Sequence, residues 1–186
     1  MIRLLGIAGS LREGSYNLAL LHAAAALAPA DCELDVVAIR GIPLYSGDVE
    51  AQAGIPAAVH TLKDRILAAD GLLLATPEYN GSIPGPFKNT IDWLTRPPTD
   101  IGRLFNDRPV ALCGVTPGMG GTRYAQLAWL PILRQLGMRP WFGKTLALSE
   151  AGKLFDAAGQ LQEEKVREQV RAFVAGFVRF VAQPRS

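Results

Sequence analysis

The sequence predicts an α/β fold built on one five-stranded parallel sheet with helices on both faces. Short apolar runs alternate with longer segments of helical periodicity along the whole chain. The run at residues 71–76, GLLLAT, is continuously apolar, as in a central parallel strand that is covered on both faces. Glycine- and proline-containing loops follow the third and fourth apolar runs. Together these features favour a doubly wound parallel sheet, in which the strand order 2-1-3-4-5 would bring the loops after the first and third strands together.

The predicted elements alternate along the chain. Predicted strands cover residues 2–8, 34–39, 71–76, 110–115 and 138–148. Predicted helices cover residues 16–27, 57–69, 87–94, 123–136 and 161–181. We expect the connection at 41–56 to be polar and mobile at its tip, because it contains turn-forming glycine and proline. We expect a kink at Pro131, which has no N–H to donate to Leu127.

Composition limits the function classes. The 186 residues, 49% of them apolar, suit one domain spanning 1–186. The 19 basic and 17 acidic residues form no blocks, which argues against nucleic acid or an acidic membrane as a partner. The chain starts with a strand pattern instead of a signal peptide, and no apolar run approaches about 18 residues, so we expect a cytoplasmic protein. Cys32 and Cys113 are predicted to be buried, reduced thiols, and no His or Cys pair has metal-ligand spacing.

The first strand ends in a loop, GIAGSLREGSYN at residues 6–17, that is suited to bind an anion. A loop between a strand and the start of a helix collects free backbone N–H groups, and the helix dipole adds partial positive charge. Its side chains include hydroxyls, an amide and a fixed cation, from Ser10, Arg12, Ser15 and Asn17. The alternative is an ordinary polar loop with an N-cap serine and a solvated arginine.

The glycine spacing restricts which anion this loop would hold. Gly9 and Gly14 are spaced as in a Walker loop, but serine and tyrosine follow where Lys-Ser/Thr is required, which argues against ATP and GTP. Gly6 lacks the second glycine, two positions on, that a Rossmann pyrophosphate loop needs. A phosphate monoester bound without a metal remains, and the ribityl phosphate of FMN fits that description.

The third predicted strand runs into a second informative loop, PEYNGSIPGP at residues 77–86. Its prolines and glycines make it stiff and sharply turned, so it displays backbone groups more than side chains. Backbone N–H and C=O groups of a rigid loop can match the polar edge of a planar ring such as flavin. We expect Tyr79 to flank the ring and Asn80 to orient the turn. A polar loop that merely connects strand and helix is the alternative.

The fourth strand ends in a third loop, TPGMGGT at 116–122, whose three glycines let the backbone approach a flat ligand. A rim segment at 95–109 carries Arg96, Arg103 and Arg108. Solvated arginines are the ordinary interpretation, and a contact of Arg96 or Arg103 with the 2′-phosphate of NADPH is the alternative. The apolar helix at 123–136 is either heavily buried within the monomer or in contact with another subunit, and Trp93 raises the same question; we favour an oligomer.

Taken together, the three loops resemble those of the NADPH-dependent FMN reductase family, flavodoxin-like flavoproteins that include bacterial quinone, chromate and azo-dye reductases. The matching residues are GSLR at 9–12 with Ser15 and Asn17, TPEYNGSIPG at 76–85 continuing in Lys88-Asn89 and Asp92-Trp93, and GMGG at 118–121. The middle motif is the most specific. The likeness extends from Ile2 to about Val181.

The resemblance implies a flavodoxin-like fold, tightly bound non-covalent FMN, NADPH or NADH as hydride donor, and a quinone or similar small acceptor. It implies no catalytic side chain and no metal, because the flavin carries the chemistry. It also implies a homodimer or homotetramer in which a neighbouring subunit helps to wall the site. The implied cofactor-binding residues are Ser10, Arg12, Ser15, Tyr16 and Asn17 in the first loop, Pro77, Glu78, Tyr79, Asn80 and Gly81 in the second, and Thr116, Gly118, Gly120 and Gly121 in the third.

Two other protein classes share parts of this pattern. A flavodoxin-type electron carrier has no substrate of its own, but such carriers tend to be strongly acidic by family analogy, and this chain has a net charge of +2. A receiver-type signalling domain has the same strand order. It requires acidic residues after the first and third strands, where Gly9-Ser10 and Thr76-Pro77 stand.

Overall fold

The computed structural model describes residues 1–183, which form a parallel sheet between two layers of helices. The strands are β1 (Ile2–Ala8), β2 (Cys32–Ala38), β3 (Gly71–Ala75), β4 (Pro109–Val115), β5 (Arg139–Pro140) and β6 (Leu146–Leu148). The helices are α1 (Tyr16–Ala26), α2 (Gly47–Ala53), α3 (Ala57–Leu67), α4 (Gly85–Leu94), α5 (Ile101–Phe105), α6 (Arg123–Gln135), α7 (Ala151–Leu154) and α8 (Glu164–Val181). The strand order is β2-β1-β3-β4-β5, with β6 also paired to β4, which confirms the predicted parallel α/β fold.

Apolar side chains cover both faces of the sheet. On one face, α1 and α8 bury Leu21 and Phe177 against the strands. On the other face, α3, α4 and α6 bury Phe87, Trp93 and Trp129. Strand β3 is buried at every position, as expected between two helical layers. Because both faces are covered, a ligand can reach the sheet only at the ends of its strands.

The connection at residues 41–56 contains a helix that the sequence did not predict, and the mobility expected at its tip stays a prediction. It contains α2, capped by Ser46, whose side chain accepts from the Asp48 N–H at 3.2 Å. Asn89 of α4 anchors it by accepting from the Tyr45 N–H and donating to the Pro43 carbonyl, both at 2.8 Å. Glycine and proline predict turns locally, but the asparagine that fixes these turns lies in a distant helix.

The prediction of one continuous fifth strand at 138–148 is wrong. Strands β5 and β6 each pair with β4, and residues 141–145 leave the sheet between them. Arg139 and Trp141 donate to the Arg108 and Val110 carbonyls at 3.0 and 2.8 Å, so Pro140 between them lies where no N–H toward β4 is needed. Trp141 packs onto α8, where its ring centroid lies 5.2 Å from that of Phe173.

Other boundaries also differ from prediction. Within the rim segment at 95–109, residues 98–105 form a 3-10 turn and α5, for which no prediction was made from the sequence. The last helix starts at Glu164, three residues later than predicted, because Leu161 pairs with Phe155 in an antiparallel bridge. Helix α6 continues through Pro131, and the kink expected there stays a prediction. Within residues 1–183, every helix is too short or too polar to cross a lipid bilayer.

Candidate active site

Three loops meet in one cleft at the carboxyl ends of β1, β3 and β4. They span residues 9–15, 76–84 and 116–122 and enclose a narrow volume of about 70 Å³. The cleft is lined by Ser10, Arg12, Ser15, Tyr16, Asn17, Pro77, Glu78, Tyr79, Val115, Thr116 and Pro117. Of the predicted site residues, only Asn80, Gly81, Gly118, Gly120 and Gly121 do not line it. The three loops singled out in the sequence are therefore neighbours.

The loop after β1 presents hydroxyl groups at the start of a helix. Ser10 and Ser15 are buried, with 5% and 7% of their surface exposed. Ser15 caps α1 by accepting from the Leu18 N–H at 3.2 Å, and Ser10 accepts from the Arg12 N–H at 3.4 Å. Each hydroxyl oxygen thus accepts a hydrogen bond while its O–H remains available to donate. The guanidinium of Arg12 is exposed and has no hydrogen-bond or ion-pair partner among the described residues.

Asn17 joins this loop to the end of β4. Its amide nitrogen donates to the Val115 carbonyl at 2.9 Å, and its amide oxygen accepts from the Val115 N–H at 3.0 Å. The residue is 4% exposed. The structure thus gives Asn17 a positioning role that the sequence did not predict. A phosphate contact would have to use the second N–H of the amide.

The loop after β3 is a tight hairpin. Tyr79 and Ser82 exchange two backbone hydrogen bonds of 3.1 Å. Between them, Asn80 and Gly81 have φ angles of 51° and 71°, the left-handed pair of a type I′ turn, which Asn-Gly favours. Asn80 therefore orients the turn, as predicted. Tyr79 lines the cleft with 43% of its surface exposed and can flank a planar ligand.

Glu78 connects the hairpin to α6. Its carboxylate accepts from the Ala125 N–H at 3.1 Å, in the first turn of that helix. Negative charge at a helix N-terminus is favourable because it opposes the partial positive charge of the unpaired N–H groups. Glu78 lines the cleft, as the resemblance implies, and it also fixes the hairpin against the helix that follows the third loop.

The loop after β4 is held at its base and open at its tip. Backbone hydrogen bonds fix Thr116 to β6 and α7. Gly121 has a φ of 66°, and a Cβ there would lie 2.9 Å from the Ala147 carbonyl oxygen, so this position requires glycine. Gly118 and Gly120 are exposed. The tip of the loop is therefore accessible to a second ligand beside the cleft.

The rim arginines bind within the chain. Arg96 Nε lies 2.8 and 3.0 Å from the two carboxylate oxygens of Glu50, and Arg103 Nε lies 3.0 Å from Asp100. The 2′-phosphate contact considered for Arg96 or Arg103 would have to displace a carboxylate. Arg108 donates to backbone carbonyls, including that of Arg103 at 3.2 Å.

Three residues at or near the cleft were missed by the sequence analysis. Val115 and Pro117 line it, and Arg40 reaches its first loop, where it donates to the Arg12 carbonyl at 3.2 Å. Val115 and Pro117 flank the predicted Thr116, so their proximity was available as a signal. For Arg40, the sequence signal was limited to its position just beyond the second predicted strand.

The cysteines are unsuited to nucleophilic chemistry. Both thiols are free, as predicted, and Cys32 is half-buried. Burial, with the charges of Asp31 and Glu33, raises the pKa of Cys32 to about 11, and complete burial raises that of Cys113. In the part of the chain that the structure describes, no group of three His, Cys, Asp or Glu residues could hold a metal ion. Hydroxyls, backbone N–H groups and a guanidinium are instead donors for a phosphate.

A parallel sheet of this order, with a hydroxyl-rich and arginine-bearing loop after its first strand, is the architecture of flavodoxin-like nucleotide-binding proteins. The chain belongs to the NADPH-dependent FMN reductase family, which it matches over residues 2–153. This membership confirms the predicted enzyme class and the predicted cofactors, FMN with NADPH or NADH as donor.

Relatives extend the likeness over almost the whole chain. An NAD(P)H-dependent FMN reductase of Pseudomonas aeruginosa is 44% identical over 170 residues, which cover 91% of this chain and 90% of that protein. A 2-hydroxy-1,4-benzoquinone reductase of a Burkholderia species is 35% identical over 179 residues, 96% of each chain. The solved structure of a flavoenzyme NAD(P)H:(acceptor) oxidoreductase from Paracoccus denitrificans superposes with a TM-score of 0.85 at 32% identity, and 97% of each chain is covered.

Proposed function

We propose that the protein is an NAD(P)H-dependent FMN oxidoreductase that reduces quinones or similar small acceptors, such as azo dyes, chromate or free flavin. The observation that carries the proposal is the single cleft in which phosphate donors and an aromatic hairpin meet. The Burkholderia relative, named as a benzoquinone reductase, supports a quinone as acceptor.

We assign the FMN phosphate to the loop after β1. The hydroxyls of Ser10 and Ser15 retain O–H donors, and Arg12 offers an unpaired guanidinium that can bind two phosphate oxygens. Tyr16 and Asn17 begin α1, whose dipole favours an anion at this end. The positive charge of Arg12 and of the helix end makes a metal unnecessary for phosphate binding.

We assign the isoalloxazine ring to the second and third loops. Tyr79 supplies an aromatic side chain beside the cleft, and the stiff hairpin displays backbone donors and acceptors. The glycines of the third loop have no side chains, so the space beside the cleft stays open. The assigned residues are Pro77, Glu78, Tyr79, Asn80, Gly81, Thr116, Gly118, Gly120 and Gly121.

When bound, FMN supplies the redox chemistry, taking a hydride from NAD(P)H and giving two electrons to the acceptor. The chain's residues position the reactants around that chemistry. The exposed Tyr79 and the open tip of the third loop leave one accessible side, on which donor and acceptor would bind in turn. We therefore expect ping-pong kinetics. Initial rates with NADPH and benzoquinone should give parallel double-reciprocal lines, and converging lines would contradict this order.

The binding assignment can be tested without turnover. The purified protein should be yellow, with flavin absorption bands, or should become so with added FMN. Replacing Arg12 and Ser15 together by alanine should weaken FMN binding by well over about tenfold, because two phosphate donors are lost. Arg3→Ala, at the opposite end of β1, is the charge-matched control for Arg12. Undiminished FMN affinity in the double variant contradicts the phosphate assignment, and a colourless protein that ignores FMN contradicts the function.

We also propose a homodimer or homotetramer. Tyr124 and Leu127 on α6 are 66% and 61% exposed, and the neighbouring Phe142 is 70% exposed. Exposed apolar side chains grouped in this way mark contacts with other proteins. Light scattering at micromolar concentration should give a multiple of the chain mass, and a monomer contradicts the proposal. We place the enzyme in the cytoplasm, where NAD(P)H is regenerated, which cell fractionation would test.

A further inference from the structure

The end of β2 brings a second cation to the loop after β1. The two strands pair in parallel with Ala8 opposite Ala38, so both end at the same level of the sheet. Arg40 lies two residues beyond β2, directly after Ile39, which is only 2% exposed and anchors the chain in the core. From there, Arg40 Nη2 donates to the backbone carbonyl of Arg12 at 3.2 Å.

The charges at this point are not balanced by the chain. Among residues 1–183, neither Arg12 nor Arg40 has a carboxylate partner. Arg3, Arg123 and Arg134 are also exposed without a carboxylate partner among the described residues, so what distinguishes this point is that two such arginines meet at one loop. Like charges without a counter-ion repel each other, and a bound dianion would remove that repulsion.

We propose that Arg40 is a positioning residue for the FMN phosphate. It holds the Arg12 backbone so that the loop keeps its shape, and its charge adds to the positive potential of that loop. Arg40 does not line the cleft, so it acts through Arg12 and not by contact with the ligand. The inference rests on the proposed function, because FMN is the anion concerned.

A merely structural hydrogen bond would have a different consequence. If Arg40 only stabilised the overall fold of the cleft, its loss would weaken FMN and riboflavin binding equally, because both flavins use the second and third loops that are assigned to the ring. A role toward the phosphate instead separates FMN from riboflavin, which has the same ring and ribityl chain but no phosphate. The ratio of the two affinities therefore distinguishes the two roles.

The test compares the dissociation constants of the full chain for FMN and for riboflavin, each measured from the quenching of flavin fluorescence on binding. Arg40→Ala should raise the dissociation constant for FMN about tenfold, because the loop loses a positive charge and the contact that orders the Arg12 backbone, and should leave that for riboflavin unchanged within about twofold. Arg40→Lys keeps the positive charge but lacks the planar guanidinium with its several N–H donors. Its dissociation constant for FMN should lie between those of the parent and Arg40→Ala. Added NaCl should weaken FMN binding more in the parent than in Arg40→Ala.

Two further variants control for charge and folding. Arg3→Ala removes the same charge at the far end of β1 and should leave both constants unchanged. Arg40→Gln retains an N–H donor without the charge and replaces the alanine variant if that variant does not fold. Either substitution at Arg40 that lowers FMN affinity selectively supports the inference.

The results that would overturn the inference differ from those that would contradict the proposed function. Unchanged FMN affinity in Arg40→Ala, or in Arg40→Gln where it serves instead, overturns the inference, and so does an equal loss of FMN and riboflavin affinity. Both outcomes leave the proposed function intact, because the parent still binds FMN. A parent chain that binds neither flavin contradicts the proposed function itself.

Discussion

Asn17 and Val115, 98 positions apart, form a reciprocal pair of buried hydrogen bonds. An asparagine side chain offers the same donor and acceptor as a peptide group, so it binds the backbone of Val115 as an additional strand would. Asn17 lies in the first turn of α1, and Val115 ends β4. The pair therefore holds the first and third loops of the cleft at a fixed separation.

Asn17→Ala should lower the free energy of unfolding by about 2–4 kcal/mol, because it leaves the N–H and C=O of Val115 buried without partners. Urea denaturation of parent and variant at pH 7 measures the difference. Asn17→Asp can still accept from the N–H, but it places a carboxylate against the Val115 carbonyl. We expect it to be no more stable than Asn17→Ala at that pH. An alanine variant as stable as the parent would show that the pair contributes nothing.

Asn17 also shows where sequence reasoning stops. Its position at the start of a helix is evident from the sequence, and so is its polarity. Whether the amide binds a ligand or a backbone depends on β4, which the fold brings beside it from far along the chain. The same limit applies to Arg40, whose partner Arg12 lies on another loop.

Features determined by local chemistry were predicted well. Strand β3 was evident because its apolar run needs no distant partner to explain it, and the turn at Asn80 follows from the backbone preference of Asn-Gly. Helix α2 was missed because its fixing contacts, such as that between Glu50 and Arg96, join distant segments. The convergence of the three loops was predictable once the strand order was chosen.

Glu78→Ala should destabilise the protein by about 1 kcal/mol, because the Ala125 N–H in the first turn of α6 loses its acceptor. Glu78→Gln keeps an oxygen acceptor and loses only the charge, so we expect a cost of about 0.5 kcal/mol. Thermal unfolding of both variants gives the comparison. Equal losses would mean that the charge, and not the hydrogen bond, holds the hairpin to α6.

Gly9→Ala should destabilise the fold by at least about 1–3 kcal/mol through overpacking. A Cβ at Gly9 would lie 2.0 Å from a ring carbon of Phe87, which is fully buried against Trp129. Gly14→Ala in the same loop is the matched control, because nothing lies within 4 Å of a Cβ there. It should change stability by less than about 0.5 kcal/mol. In a double-mutant cycle, Phe87→Leu should restore part of the stability that Gly9→Ala loses, whereas in the parent it should not increase stability. Additive effects of the two substitutions would refute the clash.

A buried ion pair fixes the rim to α3. Lys63 is 2% exposed, and its Nζ lies 2.7 Å from a carboxylate oxygen of Asp100. The hydrogen bond from Lys63, followed by the charges of Lys63 and Arg103, lowers the pKa of Asp100 although desolvation opposes the shift. The folded pKa is below the unfolded one, so the stabilisation is present above the unfolded value of about 4 and is lost as pH falls through the folded value.

Asp100→Asn should therefore lower stability at pH 7 by about 3 kcal/mol, because it leaves the Lys63 ammonium buried without its counter-charge. The gap between variant and parent should narrow as pH falls from about 4, where Asp100 is protonated in the unfolded chain, to the lower pKa at which it is protonated in the folded protein. Urea denaturation from neutral to acid pH measures both effects. The exposed pair of Lys88 and Asp92, at 2.6 Å, supplies the control, since Asp92→Asn should cost less than about 1 kcal/mol at any pH. If the difference in the free energy of unfolding between Asp100→Asn and the parent does not change with pH, the substitution acts through packing and not through the lost charge.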